Sequence, residues 1–80
     1  MTSLGIMYNY GQGVEQSYEK AFEYYEQGAH LGHAKAQFNL GASYYNGEGV
    51  EADTEKAREW WKKSAAQGYE QSIAALKQTA

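Results

Sequence analysis

Small and aromatic residues recur along this chain at the spacing of one helical face. In the stretch Thr54–Gln67 they fall at Ala57, Trp60, Trp61, Ser64 and Ala65, while Glu55, Glu59, Lys62 and Lys63 take the remaining positions. That pattern predicts an amphipathic helix. Asp53 stands where an N-cap belongs, acids lead the segment and lysines follow, which suits the helix dipole, and Gly68 stands where a left-handed C-cap is expected. Glu59 and Lys63 are spaced as an i,i+4 pair. Tyr18–Leu31 repeats the arrangement, with Ser17 as N-cap and Gly32 as C-cap. Between the two, Ala36, Leu40, Gly41 and Tyr44 mark a second kind of helix, roughly His33 to Asn46. A shortened copy of it runs from Thr2 to Tyr10, and the tail from Tyr69 to about Gln78, with Ile73 and Leu76, opens a third.

A shift of 36 residues superimposes these segments. Over positions 4–39 it gives 13 identities, among them Leu4 on Leu40, Gly5 on Gly41, Tyr8 on Tyr44 and the triplet Glu19-Lys20-Ala21 on Glu55-Lys56-Ala57. Tyr24 and Tyr25 fall on Trp60 and Trp61. A period in this range is the mark of a helical repeat array. The expected divisions are 1–32, with a truncated first helix, then 33–68, then a partial unit or cap over 69–80. Five helices, no strands and no proline give an all-α fold.

The loops "YGQGVEQS" and "YNGEGVEAD" invite a ligand-binding reading. A phosphate loop, however, follows a strand and carries a fuller glycine pattern. A calcium loop alternates Asp or Asn at fixed spacing and ends in a bidentate Glu. Neither is present, and the recurrence of the loop in register makes it a connector, with glycines for positive φ and Val14 and Val50 tucked inward. His30 and His33 are three apart, a spacing metals use, yet no cysteine or carboxylate completes a set of three or four ligands. The glutamates lie on polar faces and not in a pocket that would shift their pKa.

Composition narrows the remaining classes. The net charge is −3 with no basic cluster, so nucleic acid and anionic membrane surfaces are poor partners. There is no cysteine, which removes disulfides, thiolate catalysis and cysteine–zinc sites. No apolar run approaches ~18 residues. The opening "MTSLGIMYNYG" lacks a positive n-region, so no signal peptide is expected, and no compartment is marked. Eight of the twelve aromatics are tyrosine, a residue suited to half-buried and binding positions.

Ala36, Leu40, Gly41, Tyr44, Gly47, Gly49, Val50, Asp53, Lys56, Ala57, Trp60, Trp61, Ala65 and Gly68 together resemble the Sel-one-like repeat, a relative of the tetratricopeptide repeat. The first copy departs from the pattern at Ser17 and Gly28. The resemblance covers nearly the whole chain. It implies a right-handed α-solenoid of antiparallel helix pairs that acts as a scaffold for protein–protein contacts, with no cofactor. It also implies that the first helix of each unit lines a concave face. In register those positions are Lys35, Phe38, Ala42, Tyr45 and Asn46. In the truncated unit they are Ile6, Asn9 and Tyr10, and in the tail Gln71, Ala74 and Gln78. Phe38 and Tyr45 stand outside the packing pattern, which marks them for binding a peptide or protein.

Two functions follow as expectations, and a third is set aside. The first is a non-enzymatic module presenting this concave face to a peptide or protein. The second is assembly: about three repeats are normally needed for stability, so cut ends at Leu4, Ile6, Met7 and Ile73 would pair two copies as a homodimer. The third is hydrolysis, since some cysteine-rich relatives are associated with β-lactams. This chain has no cysteine and no nucleophile–base constellation to support it.

Overall fold

The computed structural model describes residues 17–79. They form four helices: α1, Tyr18–His30; α2, Ala34–Asn46; α3, Thr54–Ala65; and α4, Glu70–Gln78. No strand occurs among the described residues. The fifth expected helix, Thr2 to Tyr10, lies outside them. Helix starts recur 36 residues apart, Tyr18 with Thr54 and Ala34 with Glu70. The helix ends fall one or two residues inside the sequence expectation, because Leu31 and Ala66–Gln67 belong to the closing turns.

Local chemistry sets these boundaries. Ser17 and Asp53 are extended, and their side chains accept from the Lys20 and Lys56 amides at 3.3 and 3.1 Å. Each cap satisfies one otherwise orphaned donor and contributes about 1 kcal/mol. Gly32 and Gly68 end the turns after α1 and α3 with φ of 91° and 83°. Gly47 closes α2 in the left-handed region, donating to the Ser43 carbonyl. Gly49, at φ 77°, lies directly on the Tyr18 backbone, where any Cβ would collide with the Tyr18 carbonyl. The glycine loop is therefore a hinge that lets the chain lie on the start of α1. Asp53 N–H donates to the Tyr44 carbonyl at 2.8 Å and closes the loop.

Packing runs from each helix to the next: α1 on α2, α2 on α3, α3 on α4. The face of α1 buries Ala21, Tyr25, Gly28 and Ala29. That of α3 buries Ala57, Trp61 and Ser64. Between them α2 buries Ala36, Leu40, Gly41 and Ser43. Phe22 meets Tyr44 edge-on at 5.4 Å.

Polar bonds stitch the same layers. Gln37 donates from Nε2 to the Ala29 carbonyl at 3.2 Å, and Gln67 donates to the Gly32 carbonyl and to Gln37 Oε1. Ser72 on α4 donates to Ser64 on α3, which donates to the Ala34 carbonyl on α2, both at 2.7 Å. The spacing of apolar residues did not predict these bonds, since it marks Ser64 only as small.

Candidate functional site: an aromatic groove between α2 and α4

Trp61 creates the site. Its ring rises from α3 and crosses α2 at Gly41. A Cβ on Gly41 would lie 2.5 Å from Trp61 Nε1 and 3.0 Å from the Ala57 carbonyl. Glycine in mid-helix lowers helix propensity by about 1 kcal/mol relative to alanine. Here it allows the indole to reach the α2 backbone, where Nε1–H donates to the Phe38 carbonyl at 3.1 Å. The ring is 4% exposed, so a buried donor is satisfied.

On this floor stand the other rings. Phe38 stacks on Trp61 with centroids 6.4 Å apart and planes 28° apart. Tyr45 tilts against the same indole at 5.5 Å, and Tyr69, at the head of α4, tilts against Phe38 at 5.6 Å. The result is a row, Tyr69–Phe38–Trp61–Tyr45, bridging three helices. Each contact within the usual range for aromatic pairs adds about 0.5–1.5 kcal/mol beyond burial. Opposite, α4 presents Gln71, Ala74, Ala75 and Gln78, with Thr79 at the end. With Phe38, Trp61 and Tyr45 they line an open groove of about 510 Å³ in which no lining residue is charged. Thr79 turns its hydroxyl inward to the Ala75 carbonyl at 2.9 Å. Gln71 and Gln78 are exposed.

The expected concave residues divide accordingly. Phe38, Tyr45 and Gln71 line the groove, as do Ala74 and Gln78 from the tail. Lys35 and Asn46 are exposed near the two ends of α2, and Ala42 is half-buried on it; none of the three lines the groove. Ile6, Asn9 and Tyr10 lie outside the described residues. One premise needs correction. Phe38 and Tyr45 do have partners within the domain, since both pack on Trp61. Phe38 is half-buried for that reason, whereas Tyr45 remains 47% exposed. Trp61, Ala75 and Thr79 were not among the expected residues. The one sequence signal for Trp61 was its register: an indole stands where the first copy has Tyr25.

Elsewhere the chemistry is that of packing. His30 meets Trp60 edge-on at 5.3 Å, and Lys63, expected to pair with Glu59, places its ammonium 4.5 Å from the Trp60 centroid. His33 is the N-cap residue of α2. Among the described residues no group of three or more His, Cys, Asp or Glu could hold a metal ion, and no helix is long and apolar enough to cross a membrane.

Helices stacked in order, with starts repeating every 36 residues, define an all-α helical-repeat solenoid. The sequence model of the Sel1 repeat matches residues 1–33 and 34–69, and the chain belongs to that family. Proteins of this family generally act as non-enzymatic scaffolds for protein interactions. The chain is similar to a Sel1 repeat protein from Oxalobacter formigenes known from its crystal structure, with 37% identity and a TM-score of 0.92. The similarity covers 94% of this chain and 31% of that one, so the chain spans about a third of the length of that protein. No curated protein matches the chain.

Proposed function

We propose that the chain is a non-enzymatic interaction module that docks a peptide or protein segment on its concave face. Its units would be residues 1–32, 33–68 and 69–80. The observation that carries this reading is the uncharged groove between α2 and α4, floored by Trp61 and flanked by the exposed ring of Tyr45. Aromatic anchors beside exposed amides suit peptide recognition, because rings supply area at low entropic cost and amides fix register. Selection of binders from a displayed random-peptide library tests it. Selected peptides should shift the Trp61 indole N–H resonance and should lose about tenfold in affinity on Tyr45→Ala, the loss expected from an aromatic anchor of about 1.4 kcal/mol. Peptides that bind equally well to that variant would count against the groove.

A second reading, self-association into a homodimer, is favoured by Ile73, which is 37% exposed on α4. Light scattering across concentrations separates the two. A chain that stays monomeric at millimolar concentration does not assemble through its ends.

A further inference from the structure

We infer that the groove takes an uncharged, proline-rich segment in the polyproline II conformation. The inference rests on reading this face as a peptide surface and adds the chemistry of the ligand. Charge complementarity comes first. The lining offers rings, methyls, amides and the hydroxyls of Tyr45 and Thr79, but no cation or anion. A charged ligand side chain would lose hydration there with no counter-charge to replace it.

Backbone geometry comes second. A docked strand needs an unpaired sheet edge, and the described residues contain no strand. A docked helix keeps its backbone carbonyls in internal i→i−4 bonds and offers none to the exposed amides of Gln71 and Gln78. A polyproline II helix is already extended. It makes no internal hydrogen bonds, so its carbonyls remain free to accept. Gln71 and Gln78 lie seven residues apart on one helix, hence about 10.5 Å along its axis. One polyproline II turn advances about 9.3 Å. The two amides can therefore donate to carbonyls one turn apart while proline rings lie on Tyr45 and Phe38. A ligand already in this conformation also loses little entropy on docking.

An NMR titration tests the inference. The probe is a blocked peptide of repeating Pro-Pro-Leu, about nine residues or three turns long. One control replaces every proline by alanine, and another replaces every leucine by glutamate. The Trp61 indole and the Gln71 and Gln78 side-chain amides report the groove. The Pro-Pro-Leu peptide should shift all three, and both controls should bind at least about tenfold more weakly. Tyr45→Ala should weaken the peptide by about tenfold, and Gln71→Ala with Gln78→Ala by a similar factor. Both variants change exposed positions, and their circular dichroism melts confirm folding. If the alanine control binds the groove as tightly, or if only library peptides without proline bind there, this inference fails while the peptide-surface reading stands. If no peptide shifts these resonances, both fail. If the resonances move with protein concentration alone, a second copy occupies the groove and both readings give way to self-association.

Discussion

Helices α2 and α4 begin 36 residues apart, yet among the described residues α2 lies between two neighbours, α1 and α3, whereas α4 packs on α3 alone. Their residues in register record the difference. Leu40 is fully buried, whereas Leu76 is half-buried. Gly41 receives the indole of Trp61, whereas its counterpart Lys77 is exposed. Ala36 and Ser72 are both fully buried, but Ser72 carries a hydroxyl bonded to Ser64. Within the described residues the same repeat pattern is thus packed on both sides at α2 and on one side at α4. The largest contrast should come from the leucines. Leu40→Ala removes a side chain from the centre of the stack and should cost about 2–5 kcal/mol. Leu76→Ala should cost about 1 kcal/mol, since a partly solvated site leaves less of a cavity. Urea unfolding of both variants measures it, and equal losses would mean that α4 is packed as deeply as α2.

A smaller contrast concerns the crossing point, where the two helices should respond with opposite signs. Alanine is the better helix former by about 1 kcal/mol, so Gly41→Ala would stabilise an isolated helix. In this fold the added methyl meets Trp61 at 2.5 Å and the Ala57 carbonyl at 3.0 Å. The indole cannot move without losing its bond to the Phe38 carbonyl. A net destabilisation of about 1–3 kcal/mol is expected, with the Trp61 indole N–H resonance displaced. Lys77 is exposed, so Lys77→Gly should cost only the propensity difference, about 0.7 kcal/mol, and Lys77→Ala almost nothing. A stabilised Gly41→Ala protein would show that the close approach of Trp61 is not needed.

These contrasts show how far the chain could be read in advance. The 36-residue period, the caps at Ser17 and Asp53 and the positive φ at Gly32, Gly47, Gly49 and Gly68 are local chemistry, legible because each depends on a few adjacent residues. The groove was half legible. Helical register places Phe38 and Tyr45 on one side of α2 and Gln71 on one side of α4. It gives each residue's direction around its own helix, but not the offset of the next helix. For that reason Lys35, Ala42 and Asn46, equally well placed in register, do not line the groove. Trp61 was read as core packing and is also the floor of the groove. Its indole N–H reaches a carbonyl 23 residues away, a pairing that no local pattern encodes. The serine bonds are non-local for the same reason.

Those serines carry the finest test of the comparison. In register, Gly28 and Ala36, which flank the junction of the first and second units, correspond to Ser64 and Ser72 at the next junction. A pair without polar side-chain atoms has become a hydroxyl pair, buried and bonded at 2.7 Å. Ser64 both accepts from Ser72 and donates to the Ala34 carbonyl, so the two changes are unequal. Ser72→Ala removes one donor and leaves the Ser64 hydroxyl its own acceptor, at a cost of about 1 kcal/mol. Ser64→Ala strands the Ser72 hydroxyl in a dry site and should cost about 1–3 kcal/mol. The double variant makes the site apolar, as at the Gly28–Ala36 junction, and leaves no hydroxyl to strand. It should therefore cost less than the two single losses together, by about 1 kcal/mol in a double-mutant cycle. Strict additivity would mean that the serines act as two small core residues and that their bond contributes nothing to holding α4 on the stack.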